Sequence, residues 1–117
     1  MLSLPSAVHI YLCTEPTDMR RGFDRLAEMV RSIIRQDPLS GHLFVFRSRV
    51  GNRLKLLYWD RGGYALWYKR LEKGRFALPE EVGDDFRIDA RDLAMMLEGV
   101  DWTAARKRRR YTLPGLV

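Results

Sequence analysis

Residues 53–71, RLKLLYWDRGGYALWYKRL, predict a β-hairpin and decide the fold of the chain. Apolar and aromatic runs flank an Arg-Gly-Gly sequence at 61–63, and glycine readily adopts the positive φ values that a tight hairpin turn demands. A two-residue loop at the start of this sequence places Trp59 opposite Tyr64. One face of the hairpin then carries Lys55, Leu57, Trp59, Tyr64, Leu66 and Tyr68, and the other carries Leu54, Leu56, Tyr58, Ala65, Trp67 and Lys69.

The segments beside the hairpin predict further strands. Residues 43–48 are rich in Phe and Val and precede the hairpin across a turn at 50–52. Residues 75–78 follow it across a glycine-containing turn at 72–74. Residues 8–12 are β-branched and aromatic, which is typical of a short first strand. We therefore expect four to five antiparallel strands joined as a meander and not as a βαβ unit.

Two helices are predicted around this sheet. The first begins at Thr17 or Asp18 and ends before Pro38, because apolar residues between them recur at the spacing of one helical face. The second covers residues 90–98, with Asp89 as its N-cap. The predicted fold is α+β, with one long amphipathic helix packed on an antiparallel meander and a short C-terminal helix. Since only the long helix is expected to cover the sheet, we expect the second face to stay partly exposed, with several rings on it.

Length and composition indicate a globular protein. The chain has 117 residues, of which 46% are hydrophobic and 31% are charged, as in an ordinary folded domain. We expect a single domain at 1–103 and a basic, flexible tail at 104–117. Cys13 is the only cysteine, so no intramolecular disulfide can form. The opening residues carry no basic leader, and we expect a cytoplasmic protein.

The formal net charge of +6 is unevenly distributed along the sequence. Residues 1–41 hold five basic and five acidic side chains, whereas residues 42–78 hold nine basic and two acidic ones. Residues 79–101 reverse this balance, with two basic and eight acidic side chains. The last sixteen residues hold five basic side chains and no acidic one. Positive charge is thus concentrated in the aromatic meander and the tail, a distribution that suits contact with phosphates.

We hypothesise that the meander and the tail bind nucleic acid, because rings beside cations can stack on bases and hold phosphates. The candidate residues of the meander are Arg47, Arg49, Arg53, Lys55, Trp59, Trp67, Lys69, Arg70, Lys73 and Arg75. Those of the tail are Arg106, Lys107, Arg108, Arg109 and Arg110. The tail would contribute affinity without reading sequence. The structural alternatives stay open at this point: the rings are ordinary core residues, and the tail is a solvated end.

The sequence favours no catalytic or metal site. His9 and His42 are the only two histidines and lie far apart, so the paired-His spacing of a metal-dependent strand-nicking enzyme is absent. A two-metal nuclease needs carboxylates from separate strands, and the predicted strands carry only Asp60, at a turn where Asp is favoured for backbone reasons. The glycines at 62–63 join two strands and therefore form no phosphate loop. We expect no catalytic residue, no metal and no cofactor.

Three segments of the sequence resemble one family of bacterial transposon proteins. They are TDMRRGFDRLAEMV at 17–30, DPLSGHLFVFRSRVGNRLKLLYWDRGGYALWYKRLEKGRF at 37–76 and LEGVDW at 97–102. In order, and over about residues 6–103, the chain is similar to the TnpB-type accessory proteins of the insertion-sequence-sixty-six group. These proteins are unrelated to the RNA-guided nucleases that share the TnpB label.

The resemblance implies a role in transposition beside a separate, larger transposase that carries the acidic catalytic residues. It transfers no catalytic residue, because no biochemical activity is established for the accessory proteins themselves. The main hypothesis is a non-enzymatic accessory protein that binds DNA, at transposon ends or without specificity. The alternative is an adaptor that docks a transposase subunit through the acidic segment 80–92 or an open aromatic face. A third alternative is a self-associating edge strand that makes a dimer.

Overall fold

A five-stranded sheet lies between two helices in the computed structural model, which describes residues 7–99. The strands are β1 Ile10–Leu12, β2 Leu43–Arg47, β3 Arg53–Asp60, β4 Gly63–Arg70 and β5 Arg87–Ile88. The helices are α1 Phe23–Met29, which continues directly into a π-helical segment Val30–Ile34, and α2 Ala90–Glu98. The order of the strands across the sheet is β4-β3-β2-β1-β5.

Strands β2, β3 and β4 form an antiparallel meander, and the predicted register of its central hairpin is confirmed. Trp59 pairs with Tyr64, and the register continues to Arg53 opposite Arg70. Glycine at position 62 has a φ of 88°, a left-handed value that a residue without a Cβ adopts at little cost. The glycine in the turn and the alternation of side chains along the two strands therefore determine the register of this hairpin.

The sheet is mixed, which corrects the prediction of a wholly antiparallel meander. Strand β1 pairs parallel with β2, in the register Ile10 to Leu43, so β1, α1 and β2 form a βαβ crossover unit that shares β2 with the meander. The strand predicted at 75–78 is also wrong, because these residues form only an isolated β-bridge at Arg75. The fifth strand is β5, which pairs antiparallel with β1 at the far edge. With only two residues, β5 is too short to show an alternating pattern.

The long helix predicted from residue 17 or 18 is shorter than expected, and it covers residues 23–34. Asp18 caps a turn and not a helix, because its carboxylate accepts the Arg20 backbone N–H at 2.9 Å. The Thr17 N–H donates to the Arg47 carbonyl at 2.9 Å, which ties this segment to the sheet. Tertiary partners thus hold the segment before α1 in an irregular conformation despite its helical spacing.

A helix packs on each face of the sheet, which corrects the expectation that only the long helix covers it, although Tyr58 and Trp67 on the second face stay half-buried. On one face, α1 and the π-helical segment bury a cluster of Tyr11, Cys13, Leu26, Ala27, Met29, Val30, Ile34, Phe44, Phe46 and Leu57. On the other face, α2 contributes to a cluster of Ile10, Leu12, Leu43, Val45, Leu54, Leu56, Phe76, Ile88, Leu93, Met96 and Leu97. The predicted N-cap of α2 is confirmed, because Asp89 and Asp92 form a reciprocal capping box.

Candidate nucleic-acid interface

Three strand ends meet at one end of the sheet and bring the predicted cations of the meander together. Strand β2 ends there at Arg47, β3 begins at Arg53 and β4 ends at Arg70. The loop after β4 is held at the same end, because the N–H groups of Leu71 and Phe76 donate to carbonyls of the β2–β3 turn at 2.8 Å. We call this region the basic end. It comprises Arg47, Arg49, Arg53, Lys55, Lys69, Arg70, Lys73 and Arg75.

The exposed cations of the basic end are poorly neutralised. Within residues 7–99, its single ion pair joins Arg70 to Glu72 at 2.9 Å, and both side chains are largely exposed. Arg53 lies directly opposite Arg70, an arrangement in which like charges repel. The side chains that are exposed and form no ion pair with a described residue are Arg49, Lys69, Lys73 and Arg75. The surface therefore carries an excess of positive charge that a polyanion would relieve.

Lys55 differs from the other cations because its charge is buried. The residue is 6% exposed, and its ammonium group donates to the carbonyls of Met19 and Arg21 at 2.7 and 2.8 Å. The same nitrogen lies 4.7 Å from the centre of the Tyr68 ring. These contacts satisfy the ammonium group from the protein interior. Lys55 thus positions the segment before α1 and lies outside the proposed contact surface.

Arg47 is also held by the fold. Its Nε donates to the Phe76 carbonyl at 2.9 Å, and its guanidinium lies against Gly51. Burial, and next the charge of Arg75, lower the pKa of Arg47 from its usual value. The side chain therefore connects the loop after β4 to the turn between β2 and β3. Its main contribution is to fix the shape of the basic end.

A shallow depression of about 330 Å³ lies beside the β2–β3 turn at the basic end. Three arginines line it, Arg20, Arg49 and Arg53, and Arg20 was not among the predicted binding residues. The carboxylate of Asp18 lies 2.7 Å from the Arg20 guanidinium, and hydrogen bonds from this group hold the pKa of Asp18 well below its usual range. Arg53 is oriented by a 2.9 Å hydrogen bond to the Tyr68 hydroxyl. Nothing in the sequence spacing indicates that Arg20 joins cations of the meander.

The two predicted stacking tryptophans do not lie together. Trp59 is half-buried near the hairpin turn, edge-on to Tyr64 at 5.1 Å between ring centres. It stands six residues from Arg53 along β3, which corresponds to about 20 Å of strand. Trp67 lies on the opposite face, half-buried against the cluster under α2. The exposed ring at the basic end is Tyr68, which is 46% exposed and was not among the predicted binding residues.

The predicted basic residues 106–110 lie outside the described part of the chain, as does the whole of the predicted tail at 104–117. The last described residue, Gly99, follows α2 and lies close to the loop after β4. A Cβ added to Gly99 would approach the Arg75 carbonyl oxygen at 3.6 Å. The described region therefore ends beside the basic end.

A second surface feature carries the opposite charge. A groove of about 600 Å³ runs between the segment after Phe76 and helix α2. Its apolar lining includes Leu78 and Met95, which are 55% and 61% exposed. The acidic side chains that line it are Glu80, Glu81 and Asp92. This part of the predicted acidic segment thus combines exposed apolar side chains with negative charge.

His42 and Cys13 are partly or fully buried and make contacts within the fold. The His42 ring accepts a hydrogen bond from the His9 backbone N–H at its Nδ1, at 3.0 Å, and burial is the first cause that lowers the pKa of His42. Burial also raises the pKa of the Cys13 thiol. Within residues 7–99, no three metal-ligating side chains cluster. The helices of this same region are too short or too polar to cross a membrane.

Comparisons with known proteins identify the relatives of the chain. Residues 8–107 match the model of the family described as IS66 Orf2 like protein, TnpB_IS66. Two proteins of Sinorhizobium fredii (strain NBRC 101917 / NGR234) are similar to it along nearly their whole length. Uncharacterized protein y4hO is 40% identical over 114 residues, which cover 96% of this chain and 99% of y4hO. Uncharacterized protein y4jC is 32% identical over 108 residues, 92% of each chain.

No solved structure matches the chain. The family match spans the sheet, both helices and the basic end. Because this match covers most of the sequence, the chain belongs to the IS66 Orf2-like family of TnpB proteins.

Proposed function

We propose that this protein is a non-catalytic accessory factor in IS66-type transposition and that it binds DNA through the basic end. Membership of the IS66 Orf2-like family supports the role in transposition. The single observation that carries DNA binding is the group of exposed cations, Arg49, Lys69, Lys73 and Arg75, which form no ion pair among residues 7–99. The proposed partners are transposon DNA and the separate transposase subunits of the same element.

The chemistry of the basic end favours contact with phosphates over the reading of bases. Its cations lie at strand ends and in the loops next to them, with no recognition helix among them. Each phosphate that is neutralised on duplex DNA adds about 0.9 to the slope of log K against log salt concentration. We therefore expect binding that depends steeply on salt and weakly on sequence. Tyr68 adds a ring that can stack on an unpaired base.

A charge-matched pair of double variants tests this assignment. Lys69→Ala with Arg70→Ala removes two cations from the basic end, and Arg25→Ala with Arg31→Ala removes two exposed cations from the helical region. Affinities for transposon-end duplex, random duplex and single-stranded DNA are measured by fluorescence anisotropy over a salt series. The first variant is expected to weaken binding and to reduce the salt slope by about 1–2, since Arg70 is paired with Glu72, whereas the second leaves both near the wild-type values. Equal losses in the two variants would contradict the site and leave only a general effect of net charge.

The basic residues 106–110 are tested separately. A chain that ends at Ala105 is compared with the full chain over the same salt series. If the tail lies along phosphates, the truncated chain has a smaller salt slope. Equal slopes would discard the tail and leave the basic end as the proposed contact.

The acidic groove supports a second candidate function, that of an adaptor that docks a transposase subunit. Exposed Leu78 and Met95 beside Glu80 and Glu81 suit a partner segment that is both apolar and basic. Co-purification with transposase that survives nuclease treatment and high salt would favour the adaptor. Loss of that complex in a Met95→Ala, Leu78→Ala double variant with unchanged DNA affinity would assign it to the groove.

A further inference from the structure

Strand β4 is an edge strand with few of the features that usually prevent edge-to-edge pairing. It spans eight residues, and within the described region no strand lies on its outer side. Natural edge strands are commonly short or protected by proline, bulges or charges along their length. Here the only charged residues, Lys69 and Arg70, occupy the last two positions, and the strand contains no proline. Among residues 7–99, the outer edge of β4 therefore has no strand paired with it and is open for hydrogen bonding over most of its length.

The hydrogen bonding to β3 determines which residues of β4 face outward. The Leu71 N–H donates to the Asn52 carbonyl, towards β3, and Gly63 pairs with Asp60 beside the two-residue turn. Because backbone polar groups alternate in direction along a strand, the odd-numbered residues of β4 bond to β3. The N–H and C=O groups that point away from the sheet belong to Tyr64, Leu66, Tyr68 and Arg70.

We propose that two copies of this chain associate through β4, antiparallel and with Trp67 on the two-fold axis. A two-fold axis perpendicular to the sheet pairs the same edge on both copies and keeps each face on its own side. With Trp67 at the centre, Arg70 pairs with Tyr64 of the partner subunit, and Tyr68 pairs with Leu66 of the partner subunit. All four outward-facing residues of each copy then form backbone hydrogen bonds with the other copy. A shift by two residues in either direction leaves Arg70 or Tyr64 of each copy without a partner in the other strand.

The side chains favour the same register. Lys69 lies opposite Ala65 of the partner subunit, so no two cations of β4 face each other. Arg70 lies beside Tyr64 of the partner subunit, which stands edge-on to Trp59 at 5.1 Å in each copy. A guanidinium next to an aromatic pair makes a favourable cation–π contact. The two five-stranded sheets become one continuous sheet, with the basic ends pointing in opposite directions.

The register is tested by disulfide formation between two exposed or half-exposed positions. Two variants are prepared, one with Ala65→Cys and the other with Lys69→Cys. The buried Cys13 is replaced by Ala in both, so that each variant has a single cysteine. In the proposed dimer these positions form a non-hydrogen-bonded antiparallel pair, with Cα atoms about 4.5 Å apart. That separation is within the range of about 4.4–6.8 Å that a disulfide requires. Mixing the two proteins under mild oxidation is expected to yield the disulfide-linked pair, whereas either protein alone yields little.

Two further measurements complete the test. A mixture of the Ala65→Cys protein with an Arg49→Cys protein serves as a control, because Arg49 is exposed but lies outside the strand. Light scattering of the nuclease-treated wild-type chain is expected to give twice the 13.7 kDa chain mass at micromolar concentration. A monomer mass throughout that range would overturn the proposal. So would cross-linking that is equal in the control mixture or in either variant alone, or a dimer that disappears on nuclease treatment.

Discussion

Replacing Lys55 with Met removes a buried charge while it keeps an unbranched side chain that is only one heavy atom shorter. The ammonium group donates to the carbonyls of Met19 and Arg21 at 2.7 and 2.8 Å and lies 4.7 Å from the Tyr68 ring centre. Hydrogen bonds from a charged donor contribute about 1.5–3 kcal/mol each. The ring contact adds about 0.5–1 kcal/mol.

Two effects reduce the sum of these contributions. Met19 and Arg21 are only partly buried, so water can reach their carbonyls in the variant. Methionine also avoids the unfavourable desolvation of an ammonium group. We therefore expect Lys55→Met to lower the free energy of unfolding by about 2–3 kcal/mol.

The matched control is Lys69→Met, because Lys69 lies on the neighbouring strand and is exposed. This substitution is expected to change the free energy of unfolding by less than about 0.5 kcal/mol. Urea unfolding followed by tryptophan fluorescence measures both variants, and DNA affinity is measured where each is folded. Lys55→Met should affect stability and leave affinity unchanged, whereas Lys69→Met should do the reverse. Equal stabilities of the two variants would refute the structural role of Lys55.

Two further substitutions test the basic end and the histidine contact. Gly51→Ala is expected to lower the free energy of unfolding in urea more than Gly62→Ala does. Both glycines have positive φ, so both substitutions strain the backbone. Only a Cβ at position 51 meets another side chain, because it would lie 2.6 Å from Cζ of Arg47. Similar losses would show that the guanidinium moves away freely. The pKa of His42 is lowered from 6.5 in the folded chain, by burial above all and then by neighbouring positive charges, so the unfolded chain binds the proton first. The free energy of unfolding is expected to fall as the pH drops below 6.5. His42→Gln should make the free energy of unfolding depend less on pH in this range. If the pH dependence is unchanged, it arises from other groups.

The elements that could be predicted from the sequence are those whose own residues favour the conformation that the rest of the fold also requires. The hairpin register follows from the glycine with positive φ and from alternating apolar residues, and the start of α2 follows from Asp89. The start of α1 could not be predicted, because the Arg47 carbonyl and the Lys55 ammonium hold residues 17–21 from distant parts of the chain. Strand β5 is too short to show a period.

The sequence predicted which residues belong to the candidate site, but it did not predict which of them are exposed or how they are arranged. Sequence alone does not distinguish Lys55, whose charge is satisfied inside the protein, from Lys69, whose side chain is exposed. The alternation along β3 and β4 put Trp59 and Trp67 on opposite faces, as expected, yet it did not reveal that Trp67 packs against the cluster to which α2 contributes. Arg20 joins the depression only because the segment before α1 folds back on β2.

The position of β1 in the sheet has a consequence for the order of folding. β1 lies between two partners that come much later in the chain, with Ile10 paired to both Leu43 and Ile88. The hairpin of β3 and β4 can form from neighbouring residues, whereas the far half of the sheet requires the closure of long loops. During synthesis β1 therefore stays without its second neighbour until the chain has grown past residue 88, and this half of the sheet is expected to assemble last.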